Sequence, residues 1–221
     1  MKTKVISISD LVISGKWRAN LHVHLDSEIK SEKYELIRLS DLVIESKVAK
    51  NPSDTGQEGF YYIGLENVEQ LTGDLQRVTI LTNDQILSRC KVFENGDILY
   101  GRLRPYLRKA VLVEPPFLRG LCSPEFIVLK TNSELILPLF LREILVSNPV
   151  TELVTRMQGG AALPRISSRD LLSINIPVPP LIFQEDIVRK LEHFRKQRRE
   201  LLSKINALSI EGQNLIADVF I

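Results

Sequence analysis

From Ile187 onward the chain repeats an apolar side chain at alternating steps of four and three residues. Positions 187, 191, 194, 198, 201, 205, 208, 212, 215 and 219 keep that rhythm, and eight of the ten are apolar: Ile187, Leu191, Phe194, Leu201, Ile205, Leu208, Leu215 and Val219. Arg198 and Gly212 break it. A sustained seven-residue repeat marks a coiled-coil seam. A helix carrying it from 187 to 219 spans about 50 Å, too long to bury the seam on a small domain. The seam therefore asks for a second helix, and these residues are expected to carry dimerisation. The competing arrangement is a terminal helix folded back onto the rest of the chain. Gly212 weakens the last turns by roughly 1 kcal/mol relative to alanine. Pro177-Val-Pro-Pro180 forms a stiff joint ahead of the repeat. It divides the chain into residues 1–180 and a helical segment, 181–221.

The first part reads differently. At 44% hydrophobic and 25% charged, the chain has enough apolar side chain for a core. Short runs of strand character alternate with turn formers. Val5–Ile8 and Leu21–Leu25 alternate like strands, within a lead segment, 1–33, of uncertain role. Residues 34–50 read as a strand running into a turn of helix, and a loop is expected at 51–56. Phe60–Leu65 reads as a buried strand followed by a turn at Thr72-Gly73, and Lys91–Leu99 as two strands about an Asn95-Gly96 turn. Ala110–Val113 and Phe126–Leu129 add two more. From Pro138 the period becomes helical, with Leu141, Ile144 and Leu145 on one face. A second helix over roughly 150–157 is expected to end at Gly159-Gly160, and a last strand to run from Leu171 to Ile176.

Charge is uneven behind a net of +2. Residues 51–88 carry one basic side chain against six acidic; residues 89–130 carry eight against four. The basic segment contains Tyr100-Gly-Arg-Leu-Arg-Pro-Tyr-Leu-Arg-Lys109. If extended, it places Tyr100, Arg102, Arg104, Tyr106 and Arg108 on one face and Leu99, Leu103 and Leu107 on the other. Guanidinium forks fit phosphate oxygens or the acceptor edge of guanine, and phenols add a stacking surface. These residues, with Lys109, are therefore candidate nucleic-acid contacts. A second candidate patch is Gln158, Gly159, Gly160 and Arg165, where glycines permit close backbone approach and Gln158 matches an adenine edge. The bland alternatives are a solvated strand paired with the acidic segment, and an ordinary helix-to-strand connection. Pro105 argues that the strand is an edge or is broken there.

No catalytic constellation emerges. Glu114-Pro-Pro-Phe117 faintly matches the base-flipping motif of amino-methyltransferases, but the chain has no G-x-G turn for S-adenosylmethionine, and a hairpin connection is the simpler reading. Asp41, Glu45 and Lys47 are too closely spaced for a metal nuclease core. His22 and His24 read as a strand face, and His193 has no partner in the sequence. Cys90 and Cys122 form no CxxC pair, which predicts a reducing, cytoplasmic setting. The longest uncharged stretch, Leu171 to Gln184, is interrupted by three prolines and predicts no membrane span. The N-terminal residues lack an apolar run and cleavage site, which argues against export.

Four stretches in order carry a resemblance: Tyr61-Tyr-Ile-Gly-Leu-Glu-Asn-Val with Thr72-Gly73; Asn95-Gly-Asp-Ile-Leu-Tyr-Gly-Arg-Leu-Arg-Pro105; Cys122-Ser-Pro-Glu-Phe126; and Ile176-Pro-Val-Pro-Pro-Leu-Ile-Phe-Gln184. Over roughly residues 34–210 the chain resembles the specificity (S) subunits of type I restriction–modification systems. The resemblance implies an α+β chain. One mixed α/β target-recognition domain, with a twisted and largely antiparallel sheet, precedes a long C-terminal coiled-coil helix. It implies sequence-specific recognition of double-stranded DNA with no catalytic centre. S-adenosylmethionine, ATP and magnesium are then expected only on partner methyltransferase (M) and restriction (R) subunits. S subunits carry two such units in tandem; one unit here implies a half-subunit that pairs with a second copy or with a different half. The reading that competes with it is a coiled-coil assembly protein that no longer binds DNA.

Overall fold

The computed structural model of the chain describes residues 29–51, 59–82, 85, 88–160, 162–217 and 220. The strands expected at Val5–Ile8 and Leu21–Leu25, His22, His24, most of the 51–56 loop, and Val219 lie outside them. The described residues fall into two units, one ending at Pro179 and the other beginning at Pro180.

The first unit is α+β. Its strands are β1 (Leu36–Arg38), β2 (Val43–Ser46), β3 (Ala49–Lys50), β4 (Phe60–Ile63), β5 (Thr79–Leu81), β6 (Cys90–Glu94), β7 (Ile98–Gly101), β8 (Ala110–Leu112), β9 (Arg119–Cys122), β10 (Phe126–Thr131) and β11 (Asn175–Pro177). Its helices are α1 (Leu39–Leu42), α2 (Pro138–Leu145), α3 (Asn148–Met157) and α4 (Ser168–Leu172). The strands form a pair, β1-β11, a four-stranded sheet ordered β2-β10-β7-β8, and a five-stranded sheet ordered β3-β6-β9-β4-β5. Every pairing is antiparallel except β4 with β9. Aromatic and β-branched side chains suit these half-buried surfaces. Ile63, Phe93 and Cys122 from the five-stranded sheet meet Leu99, Val111, Phe126 and Val128 from the four-stranded one in a common core. Side chains on successive β6 residues take opposite faces: Val92 joins a smaller cluster with Cys90 and Leu121, while Phe93 enters the main core.

Four local expectations are corrected. The Asn95-Gly96 turn does not close a hairpin: β6 and β7 belong to different sheets. Gly96 takes φ +87° and its N–H donates to the Val113 carbonyl, while Asn95 donates to Leu118, so the turn is a corner between sheets. The Pro115-Pro116 segment is likewise a crossing rather than a hairpin, since β8 and β9 also lie in separate sheets. The helix over 148–157 stops before its glycines: Gln158 already has extended backbone (φ −61°, ψ 149°). The run Leu171–Ile176 is not one strand. Ser167 caps α4 by accepting from the Asp170 N–H at 3.0 Å, and only Asn175–Pro177 is extended. The capping signal overrode an apolar run too short to have a period.

One buried cation ties the first unit together. Arg142 on α2 is 3% exposed. It donates from Nε to the Ala110 carbonyl at 2.9 Å and from Nη2 to the Leu71 carbonyl at 2.6 Å, and pairs through Nη1 with Glu143 at 2.6 Å. Gly73 beside it has φ +69°, and a Cβ there would collide with the Ala110 carbonyl oxygen and the Arg142 guanidinium. The Thr72-Gly73 element is thus required by close approach as well as by backbone sign.

The second unit is a single helix, α5 (Leu181–Ala217). At 1.5 Å per residue it is about 55 Å long. Gln184, the last residue of the Pro-Pro-Leu-x-x-Gln element, is buried, and its N–H donates to the Pro180 carbonyl at 3.1 Å. The heptad seam is bare where it matters most. Phe194, Leu201, Ile205, Leu208 and Leu215 are 57–67% exposed, while Ile187 and Leu191 are partly covered. No helix among the described residues is long and apolar enough to cross a membrane.

Replacing Arg142 by alanine should leave two backbone carbonyls without their donor and lower stability by about 2–3 kcal/mol. Arg142→Lys should recover only part of this, because an ammonium cannot present the same fork. Urea unfolding midpoints of the three proteins measure both effects.

Candidate nucleic-acid interface

The strip expected to be one extended strand is a strand, a loop and a turn. Strand β7 ends at Gly101, where a Cβ would press on the Lys109 carbonyl oxygen at 2.9 Å and on Leu65 at 3.0 Å. Pro105–Leu107 then form a 3-10 turn flanked by Arg104 (φ 49°, ψ 62°) and Arg108 (φ 52°, ψ 42°), both left-handed. A non-glycine residue in that region costs about 1–2 kcal/mol. The strict alternation of side chains therefore fails after Gly101. It fails before it as well: Leu99 and Tyr100 are both buried, at 0% and 2%, because β7 lies inside its sheet with both faces covered. Tyr100 is accordingly a core residue, its hydroxyl pushed above the ordinary tyrosine range by burial, and it is withdrawn as a nucleic-acid contact.

Almost every backbone group of the loop is tied down. The Gly101 N–H donates to Lys109 (2.7 Å), Arg102 to Glu125 (2.9 Å) and Arg104 to Pro164 (2.7 Å), while Ile166 donates to the Arg102 carbonyl (3.0 Å) and Leu71 to that of Arg108 (3.1 Å). The turn also packs on α3. Held this way, Arg104 and Tyr106 are exposed, and Arg102 and Arg108 are half-buried. None of Arg102, Arg104 and Arg108 forms an ion pair among the described residues, so the described carboxylates of the 51–88 segment, Glu66, Glu69 and Asp74, are not paired with them. Lys109 is different. Its ammonium donates to the Leu65 carbonyl at 2.7 Å, inside a hollow shared with Glu66 and Glu69.

The fold brings the two candidate patches together. Gly159 and Arg165 exchange backbone hydrogen bonds of 2.8 and 2.7 Å, and Leu103 bridges to Arg165. Gly160 sits at φ +93°, where a Cβ would press on the Leu163 carbonyl oxygen at 2.8 Å. Arg165 grips Glu125 with Nε at 3.0 Å and Nη2 at 2.8 Å, a side-on fork. That hydrogen bonding, with the added fields of Arg165, Arg102 and Lys91, holds the Glu125 carboxyl below the usual carboxylate range against the opposing effect of burial. Arg165 is thus spent on positioning. Two buried polar atoms at the junction, Arg102 Nε and Gln158 Oε1, have no hydrogen-bond partner among the described residues. Each costs about 1–3 kcal/mol while unmet.

Glu125 and Arg142 were not singled out from the sequence. Glu125 lies within the Cys122-Ser-Pro-Glu-Phe126 stretch, and its position immediately before β10 carried no functional signal. The earlier Tyr61–Val68 stretch owes its pattern to Asn67, which accepts from the Gly64 N–H at 2.8 Å and donates to the carbonyls of Gln76 and Arg77. Of the acidic set at 41–47, Glu45 accepts from Ser168 Oγ at 2.8 Å and lies 3.7 Å from Lys91, while Asp41 accepts from Ser40. Burial pushes the Cys122 thiol up to about 12 and raises that of Cys90, so neither is a ready nucleophile.

Residues 31–208 match the family model for the type I restriction modification DNA specificity domain. The specificity subunit of the type I restriction enzyme EcoDI of Escherichia coli is 26% identical over 166 residues, covering 72% of this chain and 35% of that protein. The HindI specificity subunit of Haemophilus influenzae is 26% identical over 162 residues, covering 71% and 31%. Among solved structures, the HsdS subunit of Thermoanaerobacter tengcongensis superposes with a TM-score of 0.66 at 26% identity, covering 77% of this chain and 44% of that one. A chain from a study of complex assembly and conformational transition in the type I R-M system gives 0.67 at the same identity and coverage. The chain spans about a third of the length of the curated relatives it matches.

Because the Glu125 carboxyl is held low in the folded protein and not in the unfolded chain, it contributes stability above the unfolded glutamate value of about 4.3. That contribution is lost as pH falls through the folded value, since the unfolded state then binds the proton first. Glu125→Gln should flatten the fall in unfolding free energy below about pH 4.5, measured by urea unfolding at a series of pH values.

Proposed function

The chain belongs to the type I restriction–modification DNA specificity family, and on that premise we propose that it recognises double-stranded DNA as a half specificity subunit. The observation that carries the reading is the locked loop at 101–109. A backbone held at nearly every residue presents Arg104 and Tyr106 outward, with Arg102 and Arg108 beside them and no carboxylate among the described residues paired to them. Preorganised guanidinium groups lose little freedom on meeting phosphate or guanine. Arg165 and Glu125 hold the second patch against the first, so that Gln158 and the Gly159-Gly160 backbone face the same ligand as the loop.

The chain itself performs no chemistry in this reading. It positions a methyltransferase subunit that modifies adenine, and a restriction subunit can join. S-adenosylmethionine, ATP and magnesium belong to those partners. The exposed seam of α5 pairs with the same seam on a second copy or on a different half-subunit. Two identical copies would be related by a two-fold axis and would read a split palindrome. The complex works in the cytoplasm, where its DNA is.

A specific observation favours a second reading, an assembly protein without DNA affinity. Lys109 is committed to Leu65 and Arg165 to Glu125, so fewer cations remain than the charge count suggested, and Tyr100 is in the core. Selection from a random-sequence duplex library separates the two. A specificity subunit, mixed with its methyltransferase partner, should enrich one bipartite sequence; no enrichment at low salt would support the assembly protein. Arg104→Ala/Arg108→Ala should make the dependence of log K on log salt shallower by about 1.8. Leu201→Glu/Ile205→Glu should give the monomer mass in analytical ultracentrifugation, where the parent gives twice that.

A further inference from the structure

The Thr72-Gly73 element belongs to a tight hairpin whose tip has no part in the interface described so far. Val68 and Leu75 pair across it, the Glu69 N–H donates to the Asp74 carbonyl at 2.9 Å, and the Gly73 N–H donates to the Glu69 carbonyl at 3.1 Å. At the tip, the Thr72 N–H donates to the Gln70 carbonyl at 2.7 Å, spanning Leu71 at φ +65°. A bond between residues two apart, with positive φ between them, is the rare and strained hand of γ-turn. A leucine is strained in that backbone where a glycine is not. Its side chain gains little from the core in return, because Leu71 is 52% exposed.

The strained residue is held from outside the hairpin. The Leu71 N–H donates to the Arg108 carbonyl at 3.1 Å, and the Leu71 carbonyl accepts from Arg142 Nη2 at 2.6 Å. Both backbone groups are therefore fixed, and the tip is tied directly to the 101–109 loop. A single exposed leucine is ordinary on a protein surface. A leucine that is exposed, strained, and locked against the loop that carries Arg104 and Tyr106 is a different case, since strain of this kind gathers where a side chain is put to use. The tip is poorly suited to phosphate: Gln70 shares a polar hollow with Glu66 and Glu69, whose charges repel it. An apolar branch held at a fixed place suits the face of a base pair instead.

We propose that Leu71 reads the target directly, by lying against the 5-methyl group of a thymine in the major groove. The proposal rests on the DNA-binding reading and deepens it by naming a residue that sets specificity. In that groove an apolar side chain against the methyl group distinguishes thymine from the other bases. A leucine half-covered by its own protein lacks the reach to wedge between stacked bases, and a contact with a methyl group does not require it. The turn then has a use: it holds a branched side chain where glycine would leave a gap, and its fixed backbone leaves little to be ordered on binding.

The test uses the full chain with its methyltransferase partner and the duplex enriched from the random library. Each thymine is replaced in turn by deoxyuridine, which lacks only the methyl group, and affinity is read by fluorescence anisotropy. At one position the replacement should weaken binding by the parent about fourfold, the worth of one buried methyl group. Leu71→Gly should make thymine and uracil equivalent at that position and leave the other positions as they were. Its urea midpoint should not fall, because glycine accepts the backbone without strain. If it does fall, Leu71→Ala, with the parent's backbone constraint and a truncated side chain, should give the same equivalence. A thymine–uracil difference that survives in these variants, or a parent that feels the methyl group nowhere, overturns the contact; enrichment of one sequence, and a salt dependence lowered by Arg104→Ala/Arg108→Ala, then leave the DNA-binding reading standing. If no sequence is enriched, that reading fails and this proposal fails with it. Should Leu71→Gly weaken binding to every duplex equally, or release the methyltransferase subunit in sedimentation, the side chain is a wedge or a subunit contact and the proposal is overturned.

Discussion

Arg142 is the constraint on which the first unit turns. A guanidinium taken almost wholly out of water must find an acceptor for each nitrogen. It does so by gathering the turn at Leu71, the start of β8 at Ala110, and Glu143 on its own helix. Those groups flank the 101–109 loop. Leu71 in turn donates to the Arg108 carbonyl, and Gly101 pairs with Lys109 immediately before Ala110. The position of the exposed arginines is thus set by an arginine that is itself inaccessible. A second tie, the Arg165–Glu125 fork, fixes the other rim of the loop. Both ties join segments far apart in sequence, so the surface they create exists only in the folded unit.

What could be read from residues alone follows from range. The seam of α5 was legible because a seven-residue rhythm is local and repeats. The helices from Pro138 and Asn148 were legible for the same reason, and so were the strands around Phe60, Val92 and Val128. Three things were hidden. Sheet membership was one: an Asn-Gly turn fixes the chain direction, and says nothing of whether the strands it joins will pair with each other or with distant partners. The conformation after Gly101 was another, because left-handed Arg104 and Arg108 are held by Pro164 and Leu71, neither of them nearby in sequence. The third was the work of Glu125 and Arg142, single charges in stretches whose composition looks ordinary. Tyr100 shows the same lesson in reverse: the alternation that exposed it on paper is void where a strand is covered on both sides.

The helix α5 raises a different energetic question. Its apolar side chains stand in water along most of the seam. Covering them on both partners of a paired helix removes a large apolar surface, at roughly 25 cal/mol per Å². Helix propensity alone does not hold 37 residues straight in water with Gly212 among them. In the proposed pairing, covering the seam would also stabilise the distal turns of the helix.

The pairing of β1 with β11 has a consequence for how such chains can diversify. Leu36 lies opposite Pro177 and Arg38 opposite Asn175, so everything between them leaves and returns through one doorway a single strand-width across. A segment built like that behaves as a cassette. Its contents can be exchanged for another fold of loops with a different appetite, while the two strands at the threshold and the rod beyond them keep their geometry. Evolution can then change what is grasped without renegotiating how the molecule is assembled.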